Sequence, residues 1–174
     1  MNMLTLIQQR RSCRIFEDKP IEPDKIDALT KAILWSPTSK NSRPWEFIWV
    51  DDKATISELA KCKPHGAEFL TGAPLALVIV ADPQKSDVWV EDTAIAATLA
   101  QLTAEDLGLG SCWVQIRLRQ HHAGITADEA CKQLLHIPGH YQTASIIAIG
   151  YKQKERKPYA DEQLLKEKIH LNKF

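Results

Sequence analysis

The chain has 174 residues, with 22 Lys and Arg balanced by 22 Asp and Glu, which is enough length for one domain with a sizeable core and gives no global field toward nucleic acid or acidic lipid. Hydrophobic residues make up 44% and charged residues 25%, the proportions of an ordinary soluble globular protein. No apolar run approaches the roughly 20 residues of a membrane span and the N-terminus has no apolar signal segment, so a cytoplasmic location is expected.

In chain order, Leu4 and Ile7 sit one helical turn apart in a short helix that the chain leaves near Arg11. Ser12 favours that exit, because its hydroxyl competes for backbone partners. In the extended segment that follows, Arg10, Ser12 and Arg14 point to one side and Arg11 and Cys13 to the other. Two planar cations with a hydroxyl between them suit a phosphate joined to a polar organic group. A second helix is bracketed by Pro20 and Pro23, carries Ile26, Leu29 and Ile33 at helical spacing, and ends before Pro37. A polar loop leads to Pro44 and Trp45, then Glu46 to Val50 reads as a buried strand. Asp52 caps a short helix with Ile56 and Leu59, and the stretch from Cys62 to Pro74 is a loop with one short helix. Leu75 to Val80 is a second buried strand.

From Val90 to Leu107 runs the central helix. Ile95, Leu99 and Leu102 share one face, with alanines interspersed that let backbones approach closely. Gly108 stops it. Ser111 to Ile116 is the third strand. Thr126 and Glu129 form a capping box opening a helix to about Leu135. Pro138 and Gly139 turn the chain into a fourth strand, Ala144 to Ile149. The tail after Pro158 is amphipathic, through Leu164, Leu165 and Ile169, and is expected to dock on something. Four scattered cysteines, Cys13, Cys62, Cys112 and Cys131, form no CxxC pair and read as reduced core thiols. His121 and His122 read as a solvated loop, because no acid or cysteine completes a metal set. The expected class is α+β, with helices on both sides of a small mixed, mainly antiparallel sheet.

No GxGxxG or GxxxxGK[ST] is present. Phosphate binding therefore falls to side-chain cations, and these form two clusters. One is Arg10 to Arg14, and the other is Lys152, Lys154, Arg156 and Lys157. With them come Ser36-Pro37-Thr38-Ser39-Lys40-Asn41-Ser42-Arg43-Pro44-Trp45, the turn Leu107-Gly108-Leu109-Gly110-Ser111, and Gly150-Tyr151 ahead of the second cluster. In this order and spacing, from about Leu4 to Pro158, the set resembles the FMN-dependent nitroreductase family.

The resemblance implies one flavin-binding domain over residues 1–174 with a C-terminal arm from about 158, in an α/β/α sandwich. It further implies an intertwined homodimer holding two FMN at its interface. Arg10 and Arg156 would bind the phosphate, with Lys154 and Arg11 beside them. Ser12 would meet the ribityl chain and Arg14 the pyrimidine edge, where its charge acts electrostatically. Pro37, Thr38, Ser39 and Asn41 would come from the partner subunit, and Val114, Gln115 and Ile116 would run along the ring. The implied activity is hydride transfer from NADH or NADPH through FMN to a nitroaromatic, quinone or similar acceptor, by a ping-pong mechanism. No side chain is required as acid, base or nucleophile. The sequence departs from the family pattern in two ways. Arg43 stands where Gln is common, and the chain lacks the helical excursion that walls the substrate pocket in longer members. Alternatives are a dehalogenase or flavin-destroying relative, a non-catalytic FMN-binding protein, and an anion- or nucleic-acid-binding module. Neutral charge weighs against the last.

Overall fold

The structure is a computed structural model and describes residues 2–122 and 124–174. Four strands, β1 (Trp45–Val50), β2 (Leu75–Ala81), β3 (Leu109–Gln115) and β4 (Gln142–Tyr151), form one sheet in the order β1-β2-β4-β3. Every ladder in it is antiparallel. The sequence suggested a mixed, mainly antiparallel sheet, and the absence of a parallel ladder has a topological cause. β2 and β3 do run parallel to each other, but the chain crosses between them through a long helix, and β4 slips into the gap. The one parallel pairing among the described residues is an isolated bridge between Ser12 and Ser111.

The period-2 pattern of the strands gives the sheet two apolar faces. Leu75, Leu77, Ile79, Ile147 and Ile149 pack against α2 (Pro23–Leu34) and α4 (Trp89–Asp106). Ala76, Val78, Val80, Ile146 and Ala148 pack against α3 (Lys53–Leu59) and α5 (Ala127–Leu135). With α1 (Met3–Gln9) at one end, this is an α/β/α sandwich of the α+β class. The local stop and start signals act as their chemistry requires. Asp52 accepts the Thr55 N–H, Thr126 and Glu129 close a capping box, and Gly108 takes φ +75° after α4.

In α4 the alanines, not the larger residues, meet the sheet. Ala96, Ala97, Ala100 and Ala104 are fully buried, whereas Ile95 is 40% exposed and Leu99 and Leu102 are half-buried. At about 100° per residue the two sets lie on opposite sides of the helix. Small side chains draw the backbone onto the strands and turn the apolar stripe Ile95, Leu99, Leu102 outward.

The tail docks only in part. Tyr159 and Gln8 exchange hydrogen bonds between Tyr159 N and Gln8 O and between Gln8 Nε2 and Tyr159 O. Beyond it, Leu164, Leu165, Ile169, Leu171 and Phe174 are exposed. Among the described residues no helix is long and apolar enough to cross a membrane.

Candidate functional site

The arginine-rich segment leaves α1 at Arg10 and runs as a strap along the edge of the sheet. Cys13 N donates to Ser111 O at 2.9 Å, Gln153 N to Ile15 O at 3.2 Å and Glu17 N to Tyr151 O at 2.9 Å. Buried Cys13 and Phe16 anchor it in the core. The approach is so close that a Cβ on Gly110 would stand 2.7 Å from Cys13 Cβ and from Lys152 Cγ. Gly110 is thus needed for contact, a role the sequence reading, which treated this turn as a helix stop, did not assign.

Burial pushes the Cys112 thiol up, and the charges of Arg14 and Arg10 and the Ser12 hydroxyl pull against it. Cys13 adds to the upward push, so all four strap residues lie within reach of Cys112. Burial also pushes up the Cys13 thiol, opposed by its hydrogen bond to Ile15 and by the charges of Lys152 and Arg156. Cys13 thus lies within reach of the second basic cluster. Arg11 Nη1 donates to Lys157 O at 2.7 Å and its guanidinium lies 4.3 Å from the Tyr159 ring centroid, so Arg11 ties the two clusters together. Arg14 lies 5.7 Å over Phe69.

Arg11, Cys13, Arg14, Lys154, Arg156 and Lys157 line one cleft of about 510 Å³. Lys152 is not a free member of it. Its ammonium meets Glu105 at 2.6 Å and Glu155 at 3.3 Å, and the Lys152 and Glu105 side chains are only 12% and 7% exposed. Burial works against this charge, but Glu105 and Glu155 outweigh it and hold the Lys152 pKa above its usual value. Glu155, the acid of the cleft, is thereby turned onto Lys152. Among the described residues no carboxylate pairs with Arg10, Arg14, Lys154 or Arg156.

The loop carrying Pro37, Thr38, Ser39 and Asn41 does not line this cleft. It is held at the other end of α4, where Ser39 N donates to Asp92 Oδ1 at 2.9 Å and Ser86 Oγ to Asp92 Oδ2 at 2.9 Å. Asp92 is 2% exposed. The sequence reading passed over it, and its only signal was an acid in the first turn of an alanine-rich helix. Lys40, Asn41 and Arg43 have φ of 52°, 55° and 46°, a conformation that non-glycine residues rarely adopt. Ser42 Oγ and Trp45 Nε1, in and just after the loop, are buried without a partner among the described residues.

At the end of β3, Val114 and Ile116 are fully buried. Gln115 accepts from Trp113 Nε1 and donates to Arg117 O, both at 2.9 Å. The N–H groups of Ile116 and Arg117 both go to Ala144 O. β3 is an edge strand, whose outer side carries backbone groups that no ladder uses.

A family model described as the nitroreductase family matches residues 7–63 and 61–151. An Archaeoglobus fulgidus protein named "Putative NADH dehydrogenase/NAD(P)H nitroreductase" is 32% identical, over 98% of each chain. Among solved structures, an FMN-dependent nitroreductase from Clostridium difficile superimposes with a TM-score of 0.97 at 46% identity, covering 99% of this chain and all of that one. A Parabacteroides distasonis structure with the same name as the archaeal protein gives a TM-score of 0.89 at 31% identity, with full coverage of both chains.

Proposed function

The chain belongs to the nitroreductase family, and on that footing we propose that it is a homodimeric NAD(P)H-dependent oxidoreductase with FMN as its resident cofactor. Its acceptor is a nitroaromatic, quinone or similar compound, and donor and acceptor use the same place in turn. Residues 1–174 form one flavin-binding unit whose segment from about 158 is an arm toward the partner. One observation carries the reading. Arg14, Lys154 and Arg156 gather round a cleft of about 510 Å³ whose lining carboxylate, Glu155, pairs with Lys152 rather than with them. Such a cleft is of ligand-binding size. A phosphate dianion fits it, each charge-assisted hydrogen bond contributing about 1.5–3 kcal/mol.

FMN, when bound, supplies the hydride-accepting and hydride-donating chemistry. The chain binds and orients it. Lys154 and Arg156 hold the phosphate within the cleft, Arg10 reaches it from outside the cleft's lining residues, and Arg11 fixes the Lys157 carbonyl beside them. Ser12 meets the ribityl chain. Arg14 places a fixed positive charge at the pyrimidine edge, which favours the more negative, reduced state. Val114, Gln115 and Ile116 border the ring.

The layout of α4 supports the dimer. Asp92, which pins the loop, and Glu105, which supports the cationic end, are 13 residues apart in sequence, or about 20 Å along the helix. One chain therefore cannot bring Pro37, Thr38, Ser39 and Asn41 to its own cleft. Both ends flank the outward stripe of Ile95, Leu99 and Leu102. In the proposed dimer a two-fold axis crosses the middle of that stripe, so that the loop of a second copy covers the cleft through the self-complementary contact such symmetry requires.

The test is a visible spectrum of the purified protein, followed by FMN and riboflavin titrations. FMN is expected to bind about 100-fold more tightly, the worth of two phosphate contacts, and to bleach anaerobically with NADH or NADPH. Double-reciprocal plots at several acceptor concentrations are expected to be parallel. Equal affinity for riboflavin would remove the phosphate from the cleft and sink the reading.

A further inference from the structure

We propose that Arg43 determines substrate selectivity, as a cation that favours substrates carrying an anionic oxyacid group. This rests on the reading above, which brings loop 37–43 of one copy to the rim of the other copy's cleft.

Arg43 is exposed, yet its side chain is aimed. Its backbone N donates to Thr38 Oγ1 at 3.1 Å and its Nε donates to Asn41 Oδ1 at 3.0 Å. That uses one of the five guanidinium donors. Among the described residues the four on Nη1 and Nη2 have no partner. A fork held by its Nε and open at both Nη is the geometry that takes a carboxylate or phosphate bidentately.

The backbone conformation supports a role for these side chains. Lys40, Asn41 and Arg43 all hold positive φ where glycine would be less strained. Asp92 spends its carboxylate on Ser39 N and Ser86 Oγ, and Asp82 accepts from Gln84 N. Glu46 lies next along the chain and accepts from Tyr141 Oη. No acid lies between Pro37 and Trp45. A further cation, Arg117, stands 5.7 Å over Trp89 in the first turn of α4, near the loop. The nearby acids Asp87 and Glu91 are exposed and flank Ser86 and Asp92, so the selectivity rests on the open Nη1 and Nη2 fork of Arg43 and not on the net charge around it.

The anion has two sources, the acceptor and the 2′-phosphate of NADPH. Two ratios of kcat/KM separate them. One is para-nitrobenzoate over para-nitrobenzamide, and the other is NADPH over NADH. In Arg43→Gln at least one ratio is expected to fall about tenfold, the worth of one charge-assisted hydrogen bond, through KM rather than kcat. Arg43→Glu is expected to fall further, and Arg43→Lys to keep part of the ratio. The dissociation constant for para-nitrobenzoate, read without turnover from the flavin spectrum, should weaken with the first ratio. Salt should erode the selectivity of the parent protein.

Both ratios holding in Arg43→Glu would overturn the proposal. So would equal losses for charged and neutral substrates, which would make Arg43 a loop-shaping residue. Loss of FMN affinity in Arg43→Gln with unmoved ratios would assign Arg43 to the cofactor through Asn41, overturning the selectivity but not the flavin site. A parent protein that binds no FMN would sink the shared-site reading and this inference with it.

Discussion

The two ends of α4 are built on opposite plans. At its C-terminal end the cleft is almost complete within one chain. Backbone pairing to Ser111 and Tyr151, the space left by Gly110 and the Lys152–Glu105 pair fix the strap, and four cations are left without counter-charges. At its N-terminal end a single buried carboxylate holds a polar loop in a conformation with three positive φ values, and buried Ser42 and Trp45 atoms find no partner among the described residues. The first end is prepared for an anion. The second, on the proposed dimer, meets another surface. A binding site can thus be divided into a half that stands by itself and a half that acquires meaning only on association.

The largest expected effect comes from separating the halves. Leu99→Asp places a charge on the outward stripe, and an unpaired charge buried in an interface costs about 3–5 kcal/mol. Sedimentation should show monomer, and the monomer should lose its flavin. A monomer that keeps FMN at full affinity would mean that the C-terminal end suffices. Gly110→Val attacks that end alone. The new side chain displaces the strap at an overpacking cost of about 1–3 kcal/mol, and FMN affinity should drop about 100-fold as two phosphate contacts go. Unchanged affinity would detach the strap from cofactor binding.

Asp92→Ala attacks the other end. It leaves Ser39 N and Ser86 Oγ without their acceptor, for a loss of about 2 kcal/mol in denaturant unfolding, while Asp92→Asn should recover most of it. If Ala and Asn behave alike, the carboxylate does not pin the loop. The smallest effect is electrostatic. Removing the positive charge in Arg14→Met should lower the midpoint potential of bound FMN by about 20–45 mV, equivalent to about 1–2 kcal/mol for two electrons, with less loss of FMN affinity than in Arg10→Met. An unchanged potential with affinity lost would move Arg14 from the ring to the phosphate.

The parts of the fold written in local chemistry were readable from the sequence. Pro23, Asp52, Thr126 with Glu129, and Gly108 each act on neighbours within a few residues, and the elements they bound begin or end where expected. Strand β4 proved longer than its apolar run, from Gln142 to Tyr151 rather than Ala144 to Ile149, because pairing on both sides carries polar residues into the ladder. What escaped was long-range. The split of β2 and β3 by β4, the need for glycine at position 110 and the pairing of Lys152 with Glu105 all join residues far apart in sequence. Periodicity also gave Ile95, Leu99 and Leu102 one face without saying that the alanines opposite would take the sheet. The cationic cluster was visible because like charges close together in sequence remain close in an extended strap. The distance between that strap and the loop at Ser39 was not.

That distance has a genetic consequence. If each site joins the strap of one copy to the loop of the other, a Gly110 lesion and an Asp92 lesion in the same polypeptide-encoding locus should complement. A mixed dimer of the two variants pairs both damaged parts at one site and leaves the other wholly intact. With random assortment of equal amounts, about one site in four is restored, from two parents that each have none. Two lesions at the same end, Gly110→Val with Arg10→Met, should restore nothing.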